Sequence, residues 1–230
     1  MFYMGEKYNK FSKYFVAVDC VIFGYEDGDL KLLLYHRGFE PAKGMWSLMG
    51  GFVGEKESSD TAARRILKNI TGLEDIFLEQ VEVFTEPERD TEDRVVSIIY
   101  YALIRIDKHN SDKVRENGAH WWSMKSLPDF IFDHKEMVNK ALEKLQLKAG
   151  MELVGSELLP DKFTLLQLRR LYEAIFQKEL DTGNFRKKVL SLKVLQRLDE
   201  KNTTESRRGA YYFKFIEGAK EKSFDRIVKI

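Results

Sequence analysis

Residues 51–73 read GFVGEKESSDTAARRILKNITGL, a glycine-rich turn, a helix and a second glycine stop. Ser58, Ser59 and Asp60 are the cap candidates, because a short side-chain oxygen accepts from the unpaired N–H groups of a first helical turn. Gly72 marks the end, where a left-handed residue closes the last turn. A helix over 58–71 places Ile66, Asn69 and Ile70 on one face, since positions i, i+3 and i+4 are surface neighbours. Upstream, 14–25 and 30–36 read as strands around the hairpin turn EDGD. Downstream, 76–85 and 94–106 are β-rich and joined by the polar run EPERDTED; a short strand AHWWSM and a helix over 134–147 follow.

Gly150, Gly155 and Pro160 then mark a boundary, dividing the chain into 1–150 and 151–230. Beyond it, 164–177 has helical periodicity with Thr164 as N-cap, and a second helix over 182–193 buries Phe185, Val189 and Leu192. Two short strands, VLQRLD and AYYFKF, close the pattern around a charged tip. Helix, turn, helix and hairpin is the order of a winged helix-turn-helix.

The 230 residues suffice for two cores, and 43% apolar with 33% charged residues is a globular balance. With no apolar run of membrane length and no apolar N-terminal leader, the expectation is a cytoplasmic protein without a membrane partner. The lone Cys20, in FVAVDCVIF, reads as a buried structural thiol. The overall charge of +1 conceals a split: residues 161–230 carry 17 Lys+Arg against 10 Asp+Glu, leaving 21 against 27 in residues 1–160. A net of +7 joined to a net of −6 suggests that the C-terminal part meets a polyanion.

Residues 51–73 resemble the Nudix box, which reads Gly, five residues, Glu, seven residues, then Arg-Glu-apolar-x-Glu-Glu-x-Gly-apolar. Gly51, Glu57, Arg65, Leu67, Gly72 and Leu73 match; Ile66, Asn69 and Ile70 stand where the family has glutamates. Three glutamates on one helical face would converge on divalent cations, and Mg²⁺ requires such oxygens to position water at a diphosphate. Isoleucine supplies none. The expectation is therefore no catalytic residue, no metal and no cofactor. The stretches 34–53, 81–104, 119–145 and 163–192 are similar, in order, to the Nudix-related transcriptional regulators, in which a Nudix domain binds a metabolite and a winged helix binds operator DNA. The resemblance implies an α/β fold: a Nudix α/β/α sandwich with a mixed sheet, then a small winged helix-turn-helix domain. It also implies a homodimer acting as a repressor on double-stranded operator DNA.

The face of 182–193 opposite its apolar stripe offers Thr182, Asn184, Arg186, Lys187, Lys188 and Ser191. Asn reads adenine and Arg reads guanine, whereas Lys meets phosphates. The N–H groups near Thr182 are expected to favour a phosphate. Arg207, Arg208 and Tyr211 form the basic wing. Candidates for effector contacts are Arg37, Glu40, Lys43, Glu57, Glu86, Arg89, Asp90 and Asp133, around the expected cleft. A domain of net −6 without box glutamates favours a neutral sugar over a diphosphate, and the chain looks like the L-arabinose-responsive regulators of sugar utilisation in this family. The alternatives are a regulator sensing ADP-ribose and a residual Nudix hydrolase.

Overall fold

A computed structural model of the chain describes residues 10–74, 76–109, 111–154, 157–204, 209–219 and 227. In chain order the N-terminal part contains β1 (Phe15–Glu26), β2 (Asp29–His36), β3 (Trp46–Ser47), β4 (Met49–Phe52), α1 (Ser59–Thr71), β5 (Glu79–Phe84), β6 (Val95–Arg105), α2 (Ser111–Glu116), β7 (Ala119–Ser123) and α3 (His134–Met151). The C-terminal part contains β8 (Phe163–Thr164), α4 (Leu165–Phe176), α5 (Thr182–Ser191), β9 (Leu195–Asn202) and β10 (Ala210–Phe215).

The centre is set by β1 and β6, which pair in parallel from Phe15↔Val95 to Tyr25↔Arg105. Both are nearly continuous apolar runs, as strands covered on two faces must be. The other pairings are antiparallel: β1 with β2 and β4, β2 with β3 and β7, and β5 with β6. Successive β1 side chains therefore feed two different cores. Val18, Cys20 and Ile22 pack with Ala62, Ala63, Ile66 and Leu67 of α1. Val21, Phe23 and Tyr25 face the other way, toward Met137, Val138, Ala141 and Leu145 of α3. The expected mixed α/β/α sandwich is what forms.

The second core does not stop at α3. It continues into Leu168, Leu171, Tyr172 and Ile175 of α4 and Phe185 and Val189 of α5. Gln146 Nε2 donates to the Ile175 carbonyl at 3.0 Å, so α4 is also pinned to α3 by a polar contact. The C-terminal sheet runs β8-β10-β9 against α4, the winged-helix arrangement. Thr164 and Gln167 form a reciprocal capping box at the start of α4.

Phe185 is buried against Tyr172 at 5.6 Å between ring centroids, whereas Arg186 is exposed. Phe185→Ala is expected to cost about 3–5 kcal/mol in chemical denaturation, and Arg186→Ala less than about 0.5 kcal/mol. Equal losses in the two variants would mean that α5 faces the other way.

Candidate functional site

The box folds as a loop and helix whose shape is fixed by one ion pair. Ser58 caps α1 by accepting from Thr61 N, and Gly72 ends it at φ +71°. Glu57 accepts from Arg65 Nε at 3.0 Å and from Gly54 N at 2.7 Å. The Arg65 guanidinium, followed by the Gly54 N–H, holds the Glu57 carboxyl down to about 2. Ile66 is buried beneath β4, where a Cβ on Gly51 would meet its Cδ1 at 2.9 Å. Ile70 packs at the edge of the same core, and Asn69 is exposed. These three side chains thus build the α1 core or face solvent. Among the described residues no group of three or more His, Cys, Asp or Glu is placed to hold a metal ion.

On the opposite side of the sheet, at the start of α3, lies a cavity of about 550 Å³ lined by Glu82–Arg89, Asp133 and Glu136. Its one guanidinium is Arg89, whose Nε and Nη2 donate to the two Asp133 oxygens at 2.8 and 2.9 Å. The Arg89 side chain is only 4% exposed, so this is a two-pronged pair largely withdrawn from water. Behind it sits His134, which accepts from the Leu48 N–H at its Nδ1, 3.0 Å away. Its Nε2 is 3.8 Å from Asp19 Oδ1, and the other Asp19 oxygen accepts from Ser97 Oγ at 2.5 Å. Burial pushes His134 below its ordinary value of 6.5; Asp19 and Asp133 oppose that shift, and Arg89 and Arg37 reinforce it.

The structure therefore brings Glu86, Arg89 and Asp133 to one cavity, with Arg37 electrostatically coupled through His134. Arg37 lies on the β2–β3 loop, its Nε on the Pro41 carbonyl and its guanidinium 4.3 Å over the Phe39 ring. Glu40 is turned to the Lys43 N–H within the same loop, and Asp90 to the Glu92 N–H. Glu57, with both oxygens on Arg65 and one also on Gly54, is engaged in the box turn. Sequence reasoning missed Asp19, Ser97 and His134. The available signal was an aspartate inside the run FVAVDCVIF, since a carboxylate in a buried strand needs partners.

In the C-terminal part, Asn184, Arg186, Lys187 and Ser191 of α5 are exposed and Lys188 is half-buried. One expectation meets a competing group. The cap is Asp181, whose Oδ1 accepts from Asn184 N at 2.7 Å, so a carboxylate occupies the α5 N-terminus where a phosphate was expected. The Thr182 hydroxyl accepts from Arg169 Nη1 at 2.8 Å. Tyr211 is 38% exposed on β10, and Arg207 and Arg208 lie outside the described residues. No helix among the described residues is long and apolar enough to cross a membrane.

Comparison with known proteins matches residues 13–141 to the NUDIX domain family and residues 155–215 to the NrtR DNA-binding winged helix domain. The chain is 28% identical over 218 residues to the "ADPR responsive transcriptional repressor NtrR" of Acinetobacter baylyi, covering 93% of this chain and 87% of that one. It is similar in structure to Shewanella oneidensis NrtR complexed with a 27mer DNA, with a TM-score of 0.76 and 28% identity over 93% of this chain and 99% of that one. The NUDIX domain of the Shewanella protein complexed with ADP ribose matches 61% of this chain and 94% of its own, with a TM-score of 0.53 and 28% identity. The L-arabinose expectation finds no support in these relatives, whose named effector is ADP-ribose.

The buried His134 predicts a pH dependence. Its folded value lies below the unfolded one, so the folded state binds fewer protons. The associated stability is complete above about pH 6.5 and is lost as pH falls below it. Denaturation midpoints measured from pH 7.5 to 5 should fall more steeply for the wild type than for His134→Gln. Parallel curves would remove the histidine from the account.

Proposed function

This chain belongs to the NUDIX family and carries an NrtR-type winged helix, and from that premise we propose that it is an ADP-ribose-responsive transcriptional repressor. The observation that carries this reading is the similarity of both parts together, across 93% of the chain, to a protein seen on DNA. In this reading the chain divides near residue 150 into a sensor and a DNA-binding unit, and α5 presents Asn184, Arg186 and Lys187 to the major groove of operator DNA.

The effector enters the cavity at the start of α3. Arg89 and Arg37 are the guanidinium groups suited to a diphosphate, as planar forks that match its oxygens. A diphosphate that engages Arg89 competes with Asp133, the residue from which α3 starts. Because α3 shares its core with α4, the change is felt by the DNA-binding unit. The protein acts as a homodimer on paired half-sites, and its box, with Ile66 and Ile70 for two glutamates, serves shape rather than hydrolysis.

Fluorescence anisotropy on DNA from upstream of its own and neighbouring genes tests the reading. Binding is expected, with release by ADP-ribose and no response to L-arabinose. Release by arabinose alone would reverse the effector assignment, and Mg²⁺-dependent turnover of ADP-ribose would restore the enzyme. Arg186→Ala should weaken operator binding by roughly 5- to 150-fold, the range of 1–3 kcal/mol for a base-reading arginine. Unchanged affinity would remove Arg186 from the interface.

A further inference from the structure

The wing carries a second basic feature, on its strands rather than at its tip. The β9–β10 ladder pairs Tyr211 with Lys201 but Phe213 with Arg197, so two steps along β10 oppose four along β9. Continued without interruption from Tyr211↔Lys201, the antiparallel register would place Arg197 opposite Phe215. The bulge instead draws Arg197 two positions closer to Tyr211, about 7 Å of strand. As a result both cations stack on one ring, the Arg197 guanidinium 4.6 Å and the Lys201 ammonium 4.7 Å from the Tyr211 centroid.

Lys201 is further fixed by Gly209. At φ +71° this glycine lies so close that a Cβ would meet the lysine Cβ and Cδ at 3.2 Å. Among the described residues neither Arg197 nor Lys201 has an ion-pair partner. The neighbouring Glu200 is taken by Lys162 at 2.5 Å. Two like charges held on one exposed ring, with the nearby glutamate already paired, form a site for an anion. Its spacing comes from a bulge, and bulges re-aim side chains rather than arise as slack.

We propose that Arg197, Lys201 and Tyr211 form a clamp for the phosphodiester backbone of duplex DNA. It supplies sequence-independent affinity in addition to the base-reading face of α5, and it rests on the DNA-binding reading given above. The ring presents the two cations and limits their rotamers, so they meet phosphates already ordered.

The test uses the full chain and anisotropy titrations on a duplex it binds specifically and on a scrambled duplex, from about 50 to 200 mM salt. Arg197→Gln and Lys201→Gln should weaken both complexes by similar factors and keep their ratio. Each should lower the slope of log K against log salt by about 0.9, the double variant by about 1.8. Arg197→Lys and Tyr211→Phe should retain the wild-type slope, which separates lost charge from lost fold. A double variant with the wild-type slope overturns the clamp, and so does a variant that loses discrimination while keeping the slope. Wild-type protein that binds neither duplex overturns the DNA-binding reading itself. Adding ADP-ribose to wild-type protein on the specific duplex tests the effector separately, because the slope is measured without it.

Discussion

The apolar surface of α3 is the constraint on which the rest of the molecule depends. Met137, Val138, Ala141 and Leu145 pack in one continuous core with β1 strand residues and with α4 and α5. Burying a side chain of this size is worth about 1.5–3 kcal/mol, so a shared core of this extent links the two parts energetically. Two parts joined only by a polar hinge would share no apolar contact; here α3 packs with β1 on one side and α4 on the other. The glycine at 150, read in the sequence as a boundary mark, is thus part of α3. Gly150 itself is buried inside the helix, and its carbonyl accepts from the Ile227 N–H.

Much of the structure that is encoded locally is legible in the sequence. The Ser58 cap, the Gly72 stop, the Thr164 capping box and the turn at Asp27–Gly28 each follow from residues a few positions apart. So does the stripe of Phe185 and Val189 that orients α5. What escaped depends on partners far apart in sequence, or on elements too short for periodicity. The strands β3 and β8 have two residues each. The Leu48–His134 hydrogen bond joins residues 86 positions apart, and Asp19–Ser97 joins residues 78 apart. The displaced register of β9 likewise has no local signature, because a bulge is defined by its partner strand. The expectation of a phosphate at the start of α5 overlooked Asp181, one residue earlier, whose carboxylate accepts from the Asn184 N–H there.

The sugar expectation rests on a domain's net charge, which is a poor guide to its ligand. A formal −6 is dominated by exposed carboxylates such as Glu82, Glu86 and Glu88, whose fields are screened within about 8 Å of salt water. A bound ligand responds to the groups it touches. Among the residues that line the cavity the guanidinium is that of Arg89, nearly out of solvent and paired with the Asp133 carboxylate. Breaking that pair without replacement would strand a buried charge, so an incoming anion has to substitute for Asp133 rather than merely displace it. A diphosphate can do so with two parallel hydrogen bonds of the same kind. A neutral sugar hydroxyl would leave the guanidinium under-compensated.

In the proposed reading, that substitution is what converts binding into release of DNA. A ligand shifts an equilibrium only by its differential affinity for the two states, with couplings of about 1–3 kcal/mol being typical. The Asp133 carboxylate caps no backbone N–H of α3 while it is engaged with Arg89. In the proposed reading a diphosphate frees it to approach the first turn of α3, where the helix dipole favours a negative charge and where the His134 and Glu136 N–H groups now donate to the Ile131 and Asp133 carbonyls. The 18-residue helix spans about 27 Å, from the cavity to the start of the winged helix. In that reading a small reorientation at its first turn is carried by that length into α4, because a close-packed core yields by moving elements rather than by deforming them. The differential affinity then resides in one carboxylate with two alternative partners, Arg89 in one state and the end of a helix in the other.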